Sequence, residues 1–305
     1  MVKYIYDMSK LQPGDIVLTR NPNDKLSRRV MKSTGSEFSH AMIYVCGSSC
    51  IGAEYRVQAR NLARTLFEDI NDTCVLRIKQ EFQSPTIIAA AIYYARLIVG
   101  NPYSLADALR LELGRTDDST EGTQICTRLV AKAFDFSGLK IVDNVEMCTP
   151  QELLESKYVD VYRDFLREAS DFDLRFAASY DVTEDMVKAT DKLFDSLKTV
   201  GDGTIRTLTA LTDYVIHHPE SDETACELLQ QSGYLDVLDI EEEKNTYNYD
   251  KDIFMDFYGE DKAYEAAIGA LEENLEGISR YEETCRVFIM KYFASGRKLR
   301  FLIMM

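Results

Sequence analysis

The chain has 305 residues, of which 46% are hydrophobic, and this is enough for one large domain or two moderate ones. Its formal net charge of −16 arises almost entirely in residues 161–305, where 31 acidic side chains outnumber 16 basic ones, whereas residues 1–160 carry 20 and 19. Such acidity is poorly suited to binding nucleic acids and anionic lipid surfaces, so we predict no nucleic-acid partner. The acidic side chains could instead bind basic protein surfaces or simply keep the protein soluble.

The cysteines and the N-terminus indicate a reducing compartment. Seven cysteines are scattered without a tight framework, and Cys46 and Cys50 lack the further ligands of a zinc site. We therefore predict no metal and no other cofactor. The first residues have no apolar signal region and no run approaches a membrane span, so we expect a cytoplasmic protein, with export by a specialised route left open.

The first half mixes strand and helix signals. Short apolar runs predict strands, and helical spacing with turn residues at both ends predicts helices. The polar stretch 115–122 is predicted to be a surface loop that could act as a lid. The predicted strands cover 15–19, 41–45, 51–57 and 73–78, and the predicted helices cover 26–32, 86–99 and 105–113.

Beyond about Tyr162 the pattern is helical. Helices are predicted over 207–216, 224–232, 234–240 and 262–295, with an acidic linker or exposed loop over 241–252. We therefore predict an α+β domain over residues 1–160 and an acidic helical domain of unknown role over residues 161–305.

His40 and Glu54 are predicted to face each other across a hairpin. Residues opposed in an antiparallel pair have numbers with a constant sum, and a loop of about three residues near 46–48 gives a sum near 94. On this register a carboxylate can accept from one imidazole nitrogen and leave the other free to take a thiol proton. A slip by one residue would move Glu54 to the opposite face. An ion pair of Glu54 with Arg56 or Arg60 is the alternative.

Cys126 is predicted to lie in the first turn of a helix that begins after an N-cap at Thr123. Exposed amides there favour a negative charge, so the thiolate is favoured. The same turn offers donors for an oxyanion, and we name the Cys126 amide and the Gln124 side chain. Arg128 is either a solvated helix residue or a contact for substrate anions.

Six motifs follow one another along the chain: Leu11–Ile16, Ser39–Val45, Ala53–Glu54, Pro102–Tyr103, Cys126–Val130 and Thr149–Leu153. Together, in this order, they resemble the circularly permuted papain-fold hydrolases of the NlpC type, in particular the YiiX-like group. In that family the histidine strand precedes the cysteine helix. The resemblance covers about residues 8–160, and residues 161–305 resemble no family that we can name.

The resemblance implies a permuted papain-like domain with an antiparallel sheet and a cysteine helix. It implies Cys126 as nucleophile, His40 as base and Glu54 as the residue that orients the base. We also place Gln124 and Tyr103 at oxyanion or substrate positions. The implied activity is cleavage of an amide or peptide bond through a thioester, without a cofactor. The helical half would then serve recognition, delivery or binding to a protein partner.

Three alternatives stay open, because a shared site fixes the thioester chemistry and leaves the substrate undetermined. The first is acyl transfer or ester hydrolysis on lipids by the same cysteine and histidine. The second is a binding module that kept the fold and lost turnover. The third is an injected or phage-encoded effector.

Overall fold

The protein divides into two compact units, Met1–Ser179 and Tyr180–Met305. This is seen in a computed structural model that describes residues 2–113, 123–200, 205–260, 262–264 and 266–271, together with 275, 278, 286 and 290. None of the helices in these described residues combines the length and the apolarity that a bilayer span requires. The predicted lid at 115–122 lies outside them.

The first unit is built on a six-stranded antiparallel sheet with the strand order β5-β4-β3-β2-β6-β7. A separate pair, β1 with β8, is also antiparallel. The sheet explains the apolar runs of the sequence, because β2 and β6 lie in its interior and are buried almost throughout. The strands are β1 Tyr4–Tyr6, β2 Ile16–Thr19, β3 His40–Cys46, β4 Ser49–Ala53, β5 Val57–Asn61, β6 Thr73–Ile78, β7 Val159–Tyr162 and β8 Leu166–Glu168.

Two helices close the main core of this unit. The central helix α4 is buried along Cys126–Val130 and packs with α2 against one face of the sheet. A second apolar cluster, which includes Tyr6, Tyr44 and Phe165, also contains residues of the sheet. The helices are α1 Lys25–Thr34, α2 Pro85–Leu97, α3 Leu105–Glu112, α4 Cys126–Phe136, α5 Pro150–Leu154 and α6 Asp171–Ala178.

The second unit is helical in its described residues. Its core gathers apolar residues of α7, α8 and α9, among them Leu193, Leu211 and Leu229. The segment predicted as a loop over 241–252 is instead folded, because the buried carboxylate of Glu241 accepts hydrogen bonds from Asn245, Asn248 and Tyr249. The helices are α7 Val182–Leu197, α8 Leu208–His217, α9 Asp222–Ser232, α10 Val237–Lys244 and α11 Lys251–Tyr258.

The α+β prediction is confirmed, but four strands, β1, β5, β7 and β8, were not predicted. The run predicted as one strand over 51–57 ends at Ala53 and turns into β5, which the pattern missed. Strands β1 and β8 were also missed, since three residues are too short for a clear alternation. The first unit extends past residue 160 to Ser179, because β7 pairs with β6 and β8 pairs with β1.

Replacing Gly14 with alanine should destabilise the first unit more than the same change at Gly138. Both glycines have φ near +90°, at +88° and +89°, so alanine costs about 1 kcal/mol at either position. At Gly14 the new methyl would also lie 2.6 Å from Ile88 Cδ1, whereas nothing lies within 4 Å at Gly138. We expect an additional loss of about 1–3 kcal/mol in the free energy of unfolding, measured by urea denaturation. Equal losses would contradict the packing at Gly14.

Candidate active site

Cys126 is the first residue of helix α4 and is 8% exposed. The N-cap is Ile125, with extended backbone and no side-chain cap, so the predicted cap at Thr123 is wrong. Gln124 makes a parallel strand-like bridge with Tyr103, and this pairing keeps the chain extended up to Ile125. The thiol therefore lies at the first helical position instead of the third, still within the turn where amide groups favour an anion.

The structure brings Cys126 and His40 together, as the sequence predicts. Their side chains are hydrogen-bonded, and the backbone amides of Ala41 and Thr127 also donate to the Cys126 sulfur. The His40 Nε2 atom is buried and has no hydrogen-bond partner among the described residues. Since Nε2 has no partner among these residues, the hydrogen bond to sulfur uses the other imidazole nitrogen, Nδ1.

This contact changes the acidity of both partners in opposite directions. Burial alone would raise the pKa of Cys126, but the hydrogen bond and charge of His40, with the two amides, lower it below its usual value. Burial alone would lower the pKa of His40, but the hydrogen bond and charge of Cys126 and the charge of Glu54 outweigh burial and Arg60 and raise it. The arrangement favours a thiolate beside an imidazolium.

The predicted sum of 94 for the hairpin is correct, although its loop differs. The turn has two residues, 47 and 48, and Cys46 pairs with Ser49. Between Tyr44 and Cys46 the register shifts by one residue, so that Tyr44 pairs with Cys50 and Met42 with Gly52. Continuing this register opposes His40 to Glu54. The extra residue is thus what puts both side chains on the same face of the sheet.

Glu54 lies beside His40 without a hydrogen bond to it. The distance from His40 Nε2 to Glu54 Oε1 is 3.9 Å, longer than a hydrogen bond. The other oxygen, Oε2, accepts from Arg60 and, at 3.5 Å, from Gln58 Nε2. Of the two alternatives of the sequence analysis, the structure shows the ion pair of Glu54 with Arg60, and Glu54 acts on His40 through its charge without the predicted hydrogen bond.

Arg128 is buried, so it is neither a solvated helix residue nor a contact for substrate anions, the two roles that the sequence left open. Its guanidinium forms a 2.9 Å ion pair with Asp107 and donates to the carbonyls of Glu146, at 2.6 Å, and Thr123, at 3.1 Å. Both Arg128 and Asp107 are inaccessible to solvent. Arg128 therefore holds the segment before Cys126 against α3 and the loop around residue 146.

Gln124 and Tyr103 are fixed close to the helix start through their backbones. The Gln124 amide donates to the Pro102 carbonyl at 2.9 Å, and the Tyr103 amide donates to the Tyr55 carbonyl at 2.9 Å. Segment 102–103 thus ties the turn after Glu54 to the residue two positions before Cys126. The Gln124 side chain is buried, and its Oε1 has no hydrogen-bond partner among the described residues.

Other buried thiols of the first unit differ from Cys126. Burial raises the pKa of Cys74 and Cys148 to about 12 and that of Cys50 well above its usual value. Each of these thiols is held in its neutral form at physiological pH. The imidazole of His40 is what distinguishes the environment of Cys126 from theirs.

Two residues that shape the site were not identified from the sequence. Gly52 lies under the imidazole, and a Cβ atom there would be 2.8 Å from Met42 Cγ and 3.1 Å from His40 Nε2. The Ala41 amide, at the start of β3, binds the sulfur. The hairpin register that opposes Met42 to Gly52 is a signal that could have identified Gly52.

No group of three or more His, Cys, Asp or Glu side chains that could hold a metal ion occurs in the residues that the structure describes.

The comparisons with known proteins give a likeness to solved structures but no match in sequence. No protein-family model matches the chain, and no curated protein matches it in sequence. Among solved structures, the chain is similar to the metalloprotein YiiX from Escherichia coli O157:H7, with 16% sequence identity and a TM-score of 0.39. The likeness covers 49% of this chain and 95% of that one.

Replacing Gly52 with alanine should weaken the contact between His40 and Cys126. The methyl group would meet Met42 and the imidazole, and His40 would have to shift by a few tenths of an ångström. We expect iodoacetamide to alkylate Cys126 at least about threefold more slowly at pH 6, measured by peptide mass spectrometry. Gly269→Ala, where nothing lies within 4 Å, is the control and should leave the rate unchanged. An unchanged rate in Gly52→Ala would show that the imidazole tolerates the methyl group.

Proposed function

We propose that the protein is a cysteine hydrolase that cleaves an amide or peptide bond through a thioester. The observation that carries this proposal is the buried Cys126 thiol, hydrogen-bonded to His40, with its pKa lowered against the effect of burial. A structural cysteine needs no such partner, and burial in apolar surroundings would leave it inert. The sequence resemblance to permuted papain-fold hydrolases of the NlpC type supports the same assignment.

In the first step the Cys126 thiolate attacks the substrate carbonyl carbon and forms a C–S bond. The carbon–nitrogen bond breaks as the tetrahedral intermediate collapses. His40, protonated at the start, donates its proton to the leaving amine and becomes neutral. Glu54 contributes negative charge that favours the imidazolium.

In the second step neutral His40 removes a proton from water, and the hydroxide attacks the thioester carbonyl. The C–S bond breaks, the carboxylic acid leaves, and the thiolate beside an imidazolium is restored. Each cycle therefore consumes one water and requires no cofactor, because both proton transfers use the same imidazole.

The start of helix α4 is the proposed oxyanion site. The backbone amides of the first turn have no acceptor within the helix, so the Cys126 amide is available as one donor. We assign the second donor to Gln124, whose side chain is buried immediately before the helix. Tyr103, bridged to Gln124 through the backbone, is assigned to substrate binding at this end of the helix.

The choice of amide over ester substrates comes from the resemblance. Lipid acyl transfer or ester hydrolysis would use the same two side chains, and a protein without turnover would keep the fold alone. We assign the protein to the cytoplasm, because the reduced thiol that the mechanism needs persists in a reducing compartment. The acidic second unit is assigned to binding a protein partner.

The proposal is tested by alkylation of the intact protein with iodoacetamide as a function of pH. At pH 6 we expect Cys126 to react at least about tenfold faster than in His40→Ala, because an unpaired buried thiol stays protonated there. The Cys126 rate should rise with pH through a pKa below that of a free thiol. Cys46→Ser is the control and should behave as the unchanged protein. Peptide mass spectrometry assigns each modified cysteine.

The acyl intermediate is tested in the same samples with p-nitrophenyl acetate. We expect an acetyl thioester on Cys126, with slow loss in His40→Ala because deacylation lacks its base. Equal alkylation of Cys126 and Cys148 across this pH range, without acetylation of Cys126, would favour the binding module. Transfer of the acetyl group from Cys126 to an added alcohol, instead of to water, would favour acyl transfer.

A further inference from the structure

The carboxylate of Glu54 has two groups of partners that compete for it. Oε2 is held by Arg60 and Gln58, both on strand β5, while Oε1 stands 3.9 Å from His40 Nε2. A hydrogen bond between an imidazole and a carboxylate needs a separation of about 2.7–3.0 Å. The Glu54 carboxylate would therefore have to move roughly 1 Å closer to form a hydrogen bond with His40 Nε2. Arg60 and Gln58, on the neighbouring strand β5, hold it at the longer distance.

Among the residues that the structure describes, His40 lacks a hydrogen-bond partner at Nε2, and the Glu54 carboxylate would be that partner if it moved closer. Its Nε2 atom is buried without a hydrogen-bond partner in the described part of the chain, while Nδ1 serves the thiol. An imidazolium with a buried, unsatisfied N–H loses stabilisation that a carboxylate acceptor would provide. The charged and titratable groups that act on His40 are Cys126 on α4, Glu54 after β4, and Arg60 on β5.

Arg60 is accessible to a ligand. Its side chain and that of Glu54 are each 43% exposed. Exposed ion pairs contribute little to stability, so an incoming anion can replace Glu54 on the guanidinium at low cost. A guanidinium binds carboxylates in a fixed two-pronged geometry, which suits it to recognising such a group on a substrate.

We propose that Arg60 binds a carboxylate of the substrate, which displaces Glu54 from Arg60 and lets Glu54 close on His40. This inference rests on the proposed function and names its substrate class: compounds that carry an anionic carboxylate next to the bond that Cys126 attacks. Binding of such a substrate completes the contact between carboxylate and imidazole. A neutral substrate leaves Glu54 on Arg60.

The test is the pKa of His40, measured in the full chain by NMR of the imidazole carbon-bound protons. The chain has only three histidines, so His40 is assigned by its loss in His40→Gln. The probes are N-acetylglycinate and the neutral N-acetylglycinamide at equal ionic strength. We expect N-acetylglycinate to raise the pKa of His40 by roughly 0.3 pH unit or more, and N-acetylglycinamide to leave it unchanged.

Arg60→Gln should reproduce this effect without a probe. Loss of the guanidinium removes a positive charge near His40 and releases Glu54, so the pKa of His40 rises and N-acetylglycinate adds no further change. Arg163→Gln is the matched control, because Arg163 makes an exposed ion pair of the same kind with Glu37. It should respond to N-acetylglycinate as the unchanged protein does.

The proposal is overturned if Arg60→Gln leaves the pKa of His40 unchanged or lowers it, since Arg60 would then support Glu54 at the histidine. It is also overturned if both probes act alike or if the response survives in Arg60→Gln. These outcomes are distinct from failure of the proposed function, which is read from alkylation and acetylation of Cys126. An activated Cys126 with an unresponsive His40 rejects only the role of Arg60.

Discussion

The hydrogen bond between His40 and Cys126 is the interaction on which the account of this protein depends. It joins the start of β3 to the start of α4, two segments separated by 85 residues of chain. A thiol buried at this position would otherwise be neutral, as the buried thiol of Cys148 is. Because the imidazole and two backbone amides outweigh burial, the thiol gains the anionic character that nucleophilic chemistry needs.

Several parts of the structure maintain this contact. The one-residue register shift after Tyr44 brings Glu54 to the same face of the sheet as His40. Gly52, which has no side chain, leaves room for the imidazole of His40. On the other side, buried Arg128 fixes the segment that leads into α4. These residues do no chemistry in the proposed reaction, yet each sets the position of a group that does.

Much of this arrangement could be predicted from the sequence, because its main signals are local. The cysteine helix shows a clear apolar stripe, and the predicted hairpin sum of 94 holds for the pairs Met42–Gly52 and Tyr44–Cys50 even though the turn itself is shorter than expected. The N-cap was mistaken because a strand-like bridge to Tyr103 overrides the capping preference of Thr123. The burial of Arg128 depends on Asp107, a partner that no local pattern indicates.

The claim that Cys126 is a thiolate paired with His40 is tested most directly by ultraviolet absorbance of the thiolate. The difference spectrum between the protein and Cys126→Ser, recorded across a pH titration, isolates this one sulfur. The account predicts thiolate absorbance already present at neutral pH, lost on acidification and absent at neutral pH in His40→Ala. Absorbance that develops only in the alkaline range of an ordinary or buried thiol, equally with and without His40, would contradict it.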